Sequence, residues 1–168
     1  MIKRIITRFG LALGVAALIA VSDQLTKLLV VMKLRPFVDN PVLGNFFKLT
    51  LVYNPNTVFG LSFGKGFPYH LLVIGIMIMV LVALAFEKHL RNAAAYGLIL
   101  GGAIGNLIDR FTRPGVVDFL NFGVGDLRWP YFNLADSAVV VGVCLLLFFS
   151  FWHERKKPQQ AGAQEEMP

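Results

Sequence analysis

Two aspartates, Asp118 and Asp136, stand where apolar segments begin or short connections end. We place Asp118 in an outward loop and Asp136 at the outer mouth of the last apolar segment. Ionisable groups beside a bilayer core are costly, and two carboxylates brought together share a proton because both cannot ionise. One carboxylate can then activate a water molecule while its protonated partner donates to a carbonyl, so the pair predicts amide-bond hydrolysis without a cofactor or a covalent intermediate.

Spacing alone leaves a second interpretation of equal weight. Each acid could instead pair with a nearby base, namely Arg110, Arg113 or Arg128. The elements that carry the two acids decide between these interpretations.

Composition indicates a membrane protein. The chain has 168 residues, 56% of them hydrophobic and 15% charged, with a mean hydropathy of +0.64, which is too apolar for an ordinary soluble domain of this length. Apolar runs predict four transmembrane helices, at about residues 9–31, 69–86, 93–108 and 134–152. We therefore predict an all-α membrane protein with a small extracytoplasmic β-sheet and a loop that covers the site.

The basic residues predict the orientation of the helices. The net charge is +6, yet the bases are not gathered on one helix or arm, which argues against nucleic-acid binding. Clusters at Lys3–Arg8, Lys88–Arg91 and Arg155–Lys157 lie beside span ends and predict cytoplasmic termini by the positive-inside rule. Residues 1–157 would form a single membrane domain, followed by a disordered cytoplasmic tail at 158–168.

The outward connections are predicted to carry the sheet. Residues Lys48–Asn54 alternate like a strand, and Val58–Phe63 could return as a second strand. Aromatic residues between Phe119 and Tyr131 would rest on the membrane and cover the cleft. In the third span, glycines at every fourth position (Gly97, Gly101, Gly105) form a stripe that allows another helix to approach closely.

Other polar residues lie near the span ends. Asp23 and Lys27 have the i, i+4 spacing of a helical ion pair, which we interpret first as a self-neutralising pair at the interface. Asn54, Asn106 and Asn133 need hydrogen-bond partners in an apolar setting, either substrate backbone or a local cap. The histidines share no metal-binding spacing, so we predict no metal.

Five segments taken together resemble the bacterial lipoprotein signal peptidase family, also called signal peptidase II. They are Asp23–Lys27, Tyr53–Asn54 with Phe59, Gly105–Arg110, Val116–Phe119 and Phe132–Ser137. The resemblance implies an intramembrane aspartyl endopeptidase of the bacterial cytoplasmic (inner) membrane, with its active site at the outer face. It would remove the signal peptide from diacylglyceryl-modified prolipoproteins by cutting before the lipidated cysteine, and it would be sensitive to the cyclic peptide globomycin. We expect a monomer without a cofactor.

The resemblance also implies roles for individual residues. The catalytic pair would be Asp118 and Asp136; the substrate-binding residues would be Asn54, Asn106, Arg110 and Asn133; and the supporting residues would be Asp23, Lys27 and Asp109. The chain departs from the family pattern between Asn54 and Phe59, where larger residues replace small ones. This departure could alter substrate preference or inhibitor fit.

Two alternatives come from other functional classes. A small transporter or proton relay would use the same acids as titrating sites, but it would place them along the middle of the spans rather than at one end. A non-enzymatic factor that binds lipoprotein precursors would keep the fold but would not need both acids.

Overall fold

The computed structural model describes residues 2–55, 64 and 67–154. Over this part of the chain there are four helices, α1 (Ile2–Lys33), α2 (Tyr69–Phe86), α3 (Leu90–Thr112) and α4 (Leu134–Glu154), and four strands, β1 (Asn40–Leu43), β2 (Phe47–Asn54), β3 (Val116–Val124) and β4 (Leu127–Arg128). The four predicted helices are all present. α1, α3 and α4 extend beyond their predicted bounds.

Three of the described helices, α1, α2 and α4, are long and apolar enough to cross a membrane. α3 is not one of them, although its 23 residues give a length of about 34 Å, enough to span a bilayer. α3 packs against each of the other three helices, so much of its surface meets protein and can consist of glycine, alanine and polar residues. A spanning role for α3 remains a prediction.

The glycine stripe of α3 lies against α1. A Cβ on Gly97 would lie 2.5 Å from the Ala12 carbonyl oxygen, and one on Gly101 would lie 2.7 Å from that of Ala16. At Gly105 the nearest atom is Asp23 Oδ2, at 2.5 Å. The predicted close helix approach is confirmed, and it brings the polar ends of α1 and α3 together.

A fourth glycine of α3 faces α4. A Cβ on Gly102 would collide with the carbonyl oxygen of Ala135, in the first turn of α4. The start of α4 therefore lies directly against α3, at the level where α3 meets Asp23.

The strands form one antiparallel sheet in the order β1-β2-β3-β4. β2 was predicted from its alternating residues and is confirmed. The predicted loop position of Asp118 is wrong, because Asp118 lies within β3, opposite Val52 of β2. The short run Val116–Phe119 is buried almost throughout, so it lacks the polar–apolar alternation that marks a half-exposed strand.

The sheet is anchored to the end of α1 by a hydrophobic cluster. Val30 of α1 packs with Leu51, Val117 and Phe119. Phe119 is only 7% exposed, so the prediction that it rests on the membrane is wrong. Trp129 and Tyr131 do lie at the surface. The predicted strand Val58–Phe63, the basic cluster Arg155–Lys157 and the tail 158–168 lie outside the described residues.

The glycine contacts predict a matched pair of substitutions. Gly101→Ala places a methyl group against Ala16 and Ile19 of α1, and we expect it to lower the free energy of unfolding by about 1–3 kcal/mol. Gly75→Ala adds the same methyl to α2 where no atom lies within 4 Å, and we expect no loss. Thermal unfolding in detergent measures both, and equal melting temperatures for the two variants would contradict the close contact of α1 with α3.

Candidate active site

Strand pairing brings Asn54 next to Asp118. In the β2–β3 register Asn54 lies opposite Val116 and Val52 lies opposite Asp118, so Asn54 and Asp118 are diagonal neighbours on one face. The Nδ2 of Asn54 donates to Oδ2 of Asp118 at 3.0 Å. One carboxylate of the predicted pair is therefore held by the sheet.

The other carboxylate is held by the helix that contains it. Asn133 Oδ1 accepts from the Asp136 backbone N–H at 2.9 Å, and Asp136 Oδ2 accepts from the Asn133 backbone N–H at 3.3 Å. This reciprocal pair is a capping box, with Asn133 as the N-cap of α4 and Asp136 three residues later. The Asp136 carboxylate is thus fixed by the way α4 begins.

The amide of Asn133 also connects the two acids. Its Nδ2 donates to Asp118 Oδ1 at 2.8 Å while its Oδ1 caps the Asp136 N–H. A single side chain therefore contacts β3 and the first turn of α4 at once. The capping alternative for Asn133 is confirmed, and contact with substrate remains a prediction.

Asn106 connects α3 to both Asn133 and Asp136. Its Nδ2 donates to Asp136 Oδ1 at 2.8 Å, and its Oδ1 accepts from Asn133 Nδ2 at 3.0 Å and from Lys27 Nζ at 3.0 Å. An ammonium group can only donate, so Lys27 forces the carbonyl end of the Asn106 amide toward itself. The NH₂ end must then face Asp136.

Lys27 lies at the centre of a buried ion cluster. Its Nζ is 2.8 Å from Asp23 Oδ2 and 2.8 Å from Asp109 Oδ2, with all three side chains fully buried. With Asn106 as the third acceptor, every N–H of the ammonium has a partner. The predicted Asp23–Lys27 pair is confirmed, and it is buried between the helices rather than exposed; its level in the membrane remains a prediction.

The two aspartates of this cluster also support neighbouring elements. Asp23 Oδ1 accepts from the Ala135 N–H at 3.0 Å, which satisfies another free amide in the first turn of α4. Asp109 Oδ2 accepts from the Val117 N–H at 3.0 Å, beside Asp118 in β3. Asp109 has two further partners, Gln24 and Arg113, that were not among the site residues predicted from the sequence. Arg113 follows Asp109 at the i, i+4 spacing of a helical ion pair, a signal that could have identified it.

Both predicted acids line one cavity of about 520 Å³ between α2, α3 and α4. Its polar end contains Asn54, Asn106, Arg110, Asp118, Asp136 and Ser137, and its apolar walls include Val73, Ile76, Ile99, Ala103 and Val139 to Val141. The segment Trp129–Phe132 borders the polar end, so the predicted covering loop is narrower than residues 119–131. The Arg110 guanidinium lies 5.2 Å from the centre of the Tyr69 ring.

The pKa of the Asp118 carboxyl is strongly raised. Burial, followed by the negative charge of Asp136, raises the pKa of Asp118 from 3.8 to about 7, against hydrogen bonds from Asn54 and Asn133 that lower it. Near neutral pH the protonated and ionised forms of Asp118 are therefore comparably populated. A carboxyl group in this condition can exchange a proton with a reacting molecule.

Two of the three arginines proposed as partners of the acids have other roles. Arg113 pairs with Asp109, and Arg128 donates to Asn121 and to the Asn45 carbonyl. Arg110 lines the same cavity as both acids. Within residues 2–55, 64 and 67–154, no three histidine, cysteine, aspartate or glutamate side chains are grouped to hold a metal ion.

Comparison with known proteins identifies the family. The model of the signal peptidase (SPase) II family matches residues 15–152. Lipoprotein signal peptidases of Paraburkholderia phymatum and Burkholderia mallei are each 40% identical over 141 residues, covering 81% of this chain and 84% of theirs.

Two solved structures share the fold. Both are described as bacterial membrane enzymes solved by the in meso method. The first, at 2.3 Å resolution, has a TM-score of 0.78 and is 25% identical; the match covers 91% of this chain and 94% of that chain. The second, at 1.9 Å resolution, has a TM-score of 0.73 and is 28% identical; the match covers 84% of this chain and 92% of that chain. The chain belongs to the signal peptidase II family of lipoprotein signal peptidases, which are bacterial membrane peptidases.

Proposed function

We propose that the chain is an aspartyl endopeptidase in which Asp118 and Asp136 activate one water molecule. It removes the signal peptide from diacylglyceryl-modified prolipoproteins and cuts before the lipidated cysteine. The observation that carries this proposal is the convergence of the two carboxylates, Asp118 buried and Asp136 half-buried, joined through Asn133, at the polar end of an apolar cavity. The family membership supports the substrate class.

The pair acts with one shared proton. The ionised carboxylate takes a proton from water as the water oxygen attacks the scissile carbonyl, while the protonated carboxyl donates to the carbonyl oxygen. As the tetrahedral intermediate collapses and the C–N bond breaks, the carboxyl that now holds the proton gives it to the leaving amine nitrogen, while the other carboxylate takes the proton of one hydroxyl of the intermediate, so the pair is again singly protonated. The pKa of Asp118, about 7, supports a proton held in the pair at neutral pH.

The cavity suits a substrate that is part lipid and part peptide. Its apolar walls come from α2, α3 and α4 and would receive the acyl chains, while the polar end would receive the peptide bond. Arg110, at the polar end, offers a planar set of donors for substrate carbonyl oxygens or a lipid ester. Asn54 and the segment Trp129–Phe132 would contact the peptide from the sheet side.

The proposal includes a placement in the membrane. With the termini in the cytoplasm of the cell, the acids lie at the outer face of the inner membrane, where water reaches the peptide bond. Globomycin-type cyclic peptides would occupy the polar end of the cavity. The enzyme would act as a monomer, because a single chain supplies both proposed catalytic carboxyls and the proposed substrate-binding residues. The proton-relay alternative has less support, because Asp23, Asp109 and Asp136 gather at one end of the helices.

Removing either catalytic carboxyl should abolish turnover. Asp118→Asn and Asp136→Asn keep the side-chain shape but cannot exchange the proton, so we expect kcat to fall by about 10²–10⁴-fold or more. The assay is the gel shift of a diacylated precursor as its signal peptide is lost, with Asp126→Asn, an exposed acid of the β3–β4 turn, as control. Full activity in the double Asp118→Asn, Asp136→Asn variant would disprove the mechanism.

The raised pKa of Asp118 predicts a pH dependence of both rate and stability. As pH rises through about 7 the pair loses its shared proton, so kcat/KM should fall. The folded protein binds this proton up to about pH 7 and the unfolded chain only up to about pH 4, so the free energy of unfolding should also decline across that window.

The matched measurement compares Asp118→Asn with the wild type. The variant cannot titrate at this position. As the pH rises from about 5 to about 8, the melting temperature of the variant should therefore increase relative to that of the wild type. A constant difference across that range would mean that Asp118 has an ordinary pKa.

The two roles of Asn133 can be separated by substitution. Serine caps helices about as well as asparagine, so Asn133→Ser should keep the start of α4 while losing the amide that donates to Asp118. We expect a melting temperature close to that of the wild type and a rate reduced by at least about tenfold. Asn133→Ala, which loses the cap as well, should also be less stable by about 1 kcal/mol. Wild-type activity in Asn133→Ser would show that the link between the two acids is not needed.

A further inference from the structure

A second cleft lies at the opposite end of the molecule from the two acids. It has a volume of about 570 Å³ and is lined by Lys3, Arg4, Thr7, Arg8, Lys88 and Leu90. These residues come from the start of α1 and from the connection between α2 and α3. Four of the six carry a positive charge.

The helix length places this cleft at the other membrane surface. Arg8 and Lys27 belong to the same buried stripe of α1, and at the rise of an α-helix they lie about 28 Å apart. That distance matches the thickness of a bilayer hydrocarbon core, about 30 Å. If Lys27 is level with one surface, the basic cleft is level with the other.

The bases of this cleft have no ion-pair partner in the described part of the chain. None of Lys3, Arg4, Arg8 and Lys88 forms an ion pair there. The neighbouring carboxylate, Glu87, is occupied by the backbone N–H groups of Lys88 and His89 and by the Asn92 amide.

The burial of Arg8 makes the absence of an anion in the cleft energetically unfavourable. Its side chain is turned into the seam between helices and is only 9% exposed, and its Nε donates to the Arg4 carbonyl. A guanidinium withdrawn from water without an anion loses hydration that one hydrogen bond replaces only in part, and no ion pair within residues 2–55, 64 and 67–154 makes up the rest. An anion in the cleft would supply that charge.

The surroundings favour a lipid anion over a free one. Just inside the cleft, Ala12, Leu84 and Ala93 form an apolar cluster. Beside it, Ile6 and Phe86 are 65% and 80% exposed, which offers a surface for acyl chains. Guanidinium groups match the paired oxygens of a phosphodiester, and lysine adds a point charge.

We propose that this cleft binds the phosphodiester headgroup of an anionic phospholipid from the leaflet that faces it. The proposal is independent of the peptidase mechanism, because no residue of the cleft contacts the acids. It differs from a general attraction of bases to the membrane, since only residues that line the cleft should matter.

The test measures lipid binding to the full-length protein in detergent by native mass spectrometry. The probes are phosphatidylglycerol and phosphatidylcholine with identical acyl chains, and sodium phosphate as the free anion. We expect phosphatidylglycerol to bind at least about fivefold more tightly than phosphatidylcholine. Equal binding of the two lipids, or displacement of phosphatidylglycerol by millimolar phosphate, would overturn the proposal.

Three variants localise the site. Lys88→Gln removes an exposed lysine of the cleft and Arg8→Gln its buried arginine, and each should weaken phosphatidylglycerol binding by about fivefold. Arg91→Gln is the control, because Arg91 lies at the same end of the molecule but its guanidinium is over the Phe149 ring, 5.3 Å from its centre. An equal loss of phosphatidylglycerol affinity in Arg91→Gln and Lys88→Gln would mean that overall charge, and not the cleft, determines binding, and it would overturn the proposal. Lys88→Gln keeps the test decisive if Arg8→Gln does not fold.

Discussion

The buried ammonium group of Lys27 is the interaction on which the geometry of the site depends. Its three N–H groups contact Asp23 of its own helix and both Asp109 and Asn106 of α3. Burying such a cluster is not in itself a strong source of stability, but removing one member leaves an uncompensated charge that costs about 3–5 kcal/mol. The cluster therefore has one low-energy arrangement, and that arrangement sets how α1 and α3 meet.

The same cluster determines the position of both acids. Asp23 holds the first turn of α4 through the Ala135 N–H, and Asp109 holds β3 through the Val117 N–H. Asp136 and Asp118 each lie one residue beyond these contacts. Asp23 and Asp109 thus act as hydrogen-bond acceptors for the backbone that carries the two proposed catalytic carboxyls. Pre-organisation of this kind spares the reaction the cost of ordering its own groups.

The helix bundle makes the polar cluster possible by packing closely. Without a hydrophobic force between helices in lipid, contact depends on van der Waals packing of small residues. Gly97 and Gly101 allow α1 to approach, and Gly102 allows α4 to approach. The polar groups at the end of the bundle are consequently within hydrogen-bond distance of one another. The opposite end of the bundle carries the basic residues of the second cleft, which form no ion pair within the described part of the chain.

Local sequence was enough to predict the four helices, the β2 strand and the Asp23–Lys27 pair, because each depends on neighbours in the chain or on residues with fixed spacing. The strand position of Asp118 could not be predicted, since β3 is defined by pairing with a distant strand and its short buried run has no alternation. Only the tertiary structure decided that Asp109 shares Lys27 with Asp23, that Asn133 contacts both Asp118 and Asp136, and that Arg113 pairs with Asp109 rather than with either of those two acids. These relations join residues from different elements, and hydrogen-bond geometry between elements exists only after the helices have packed.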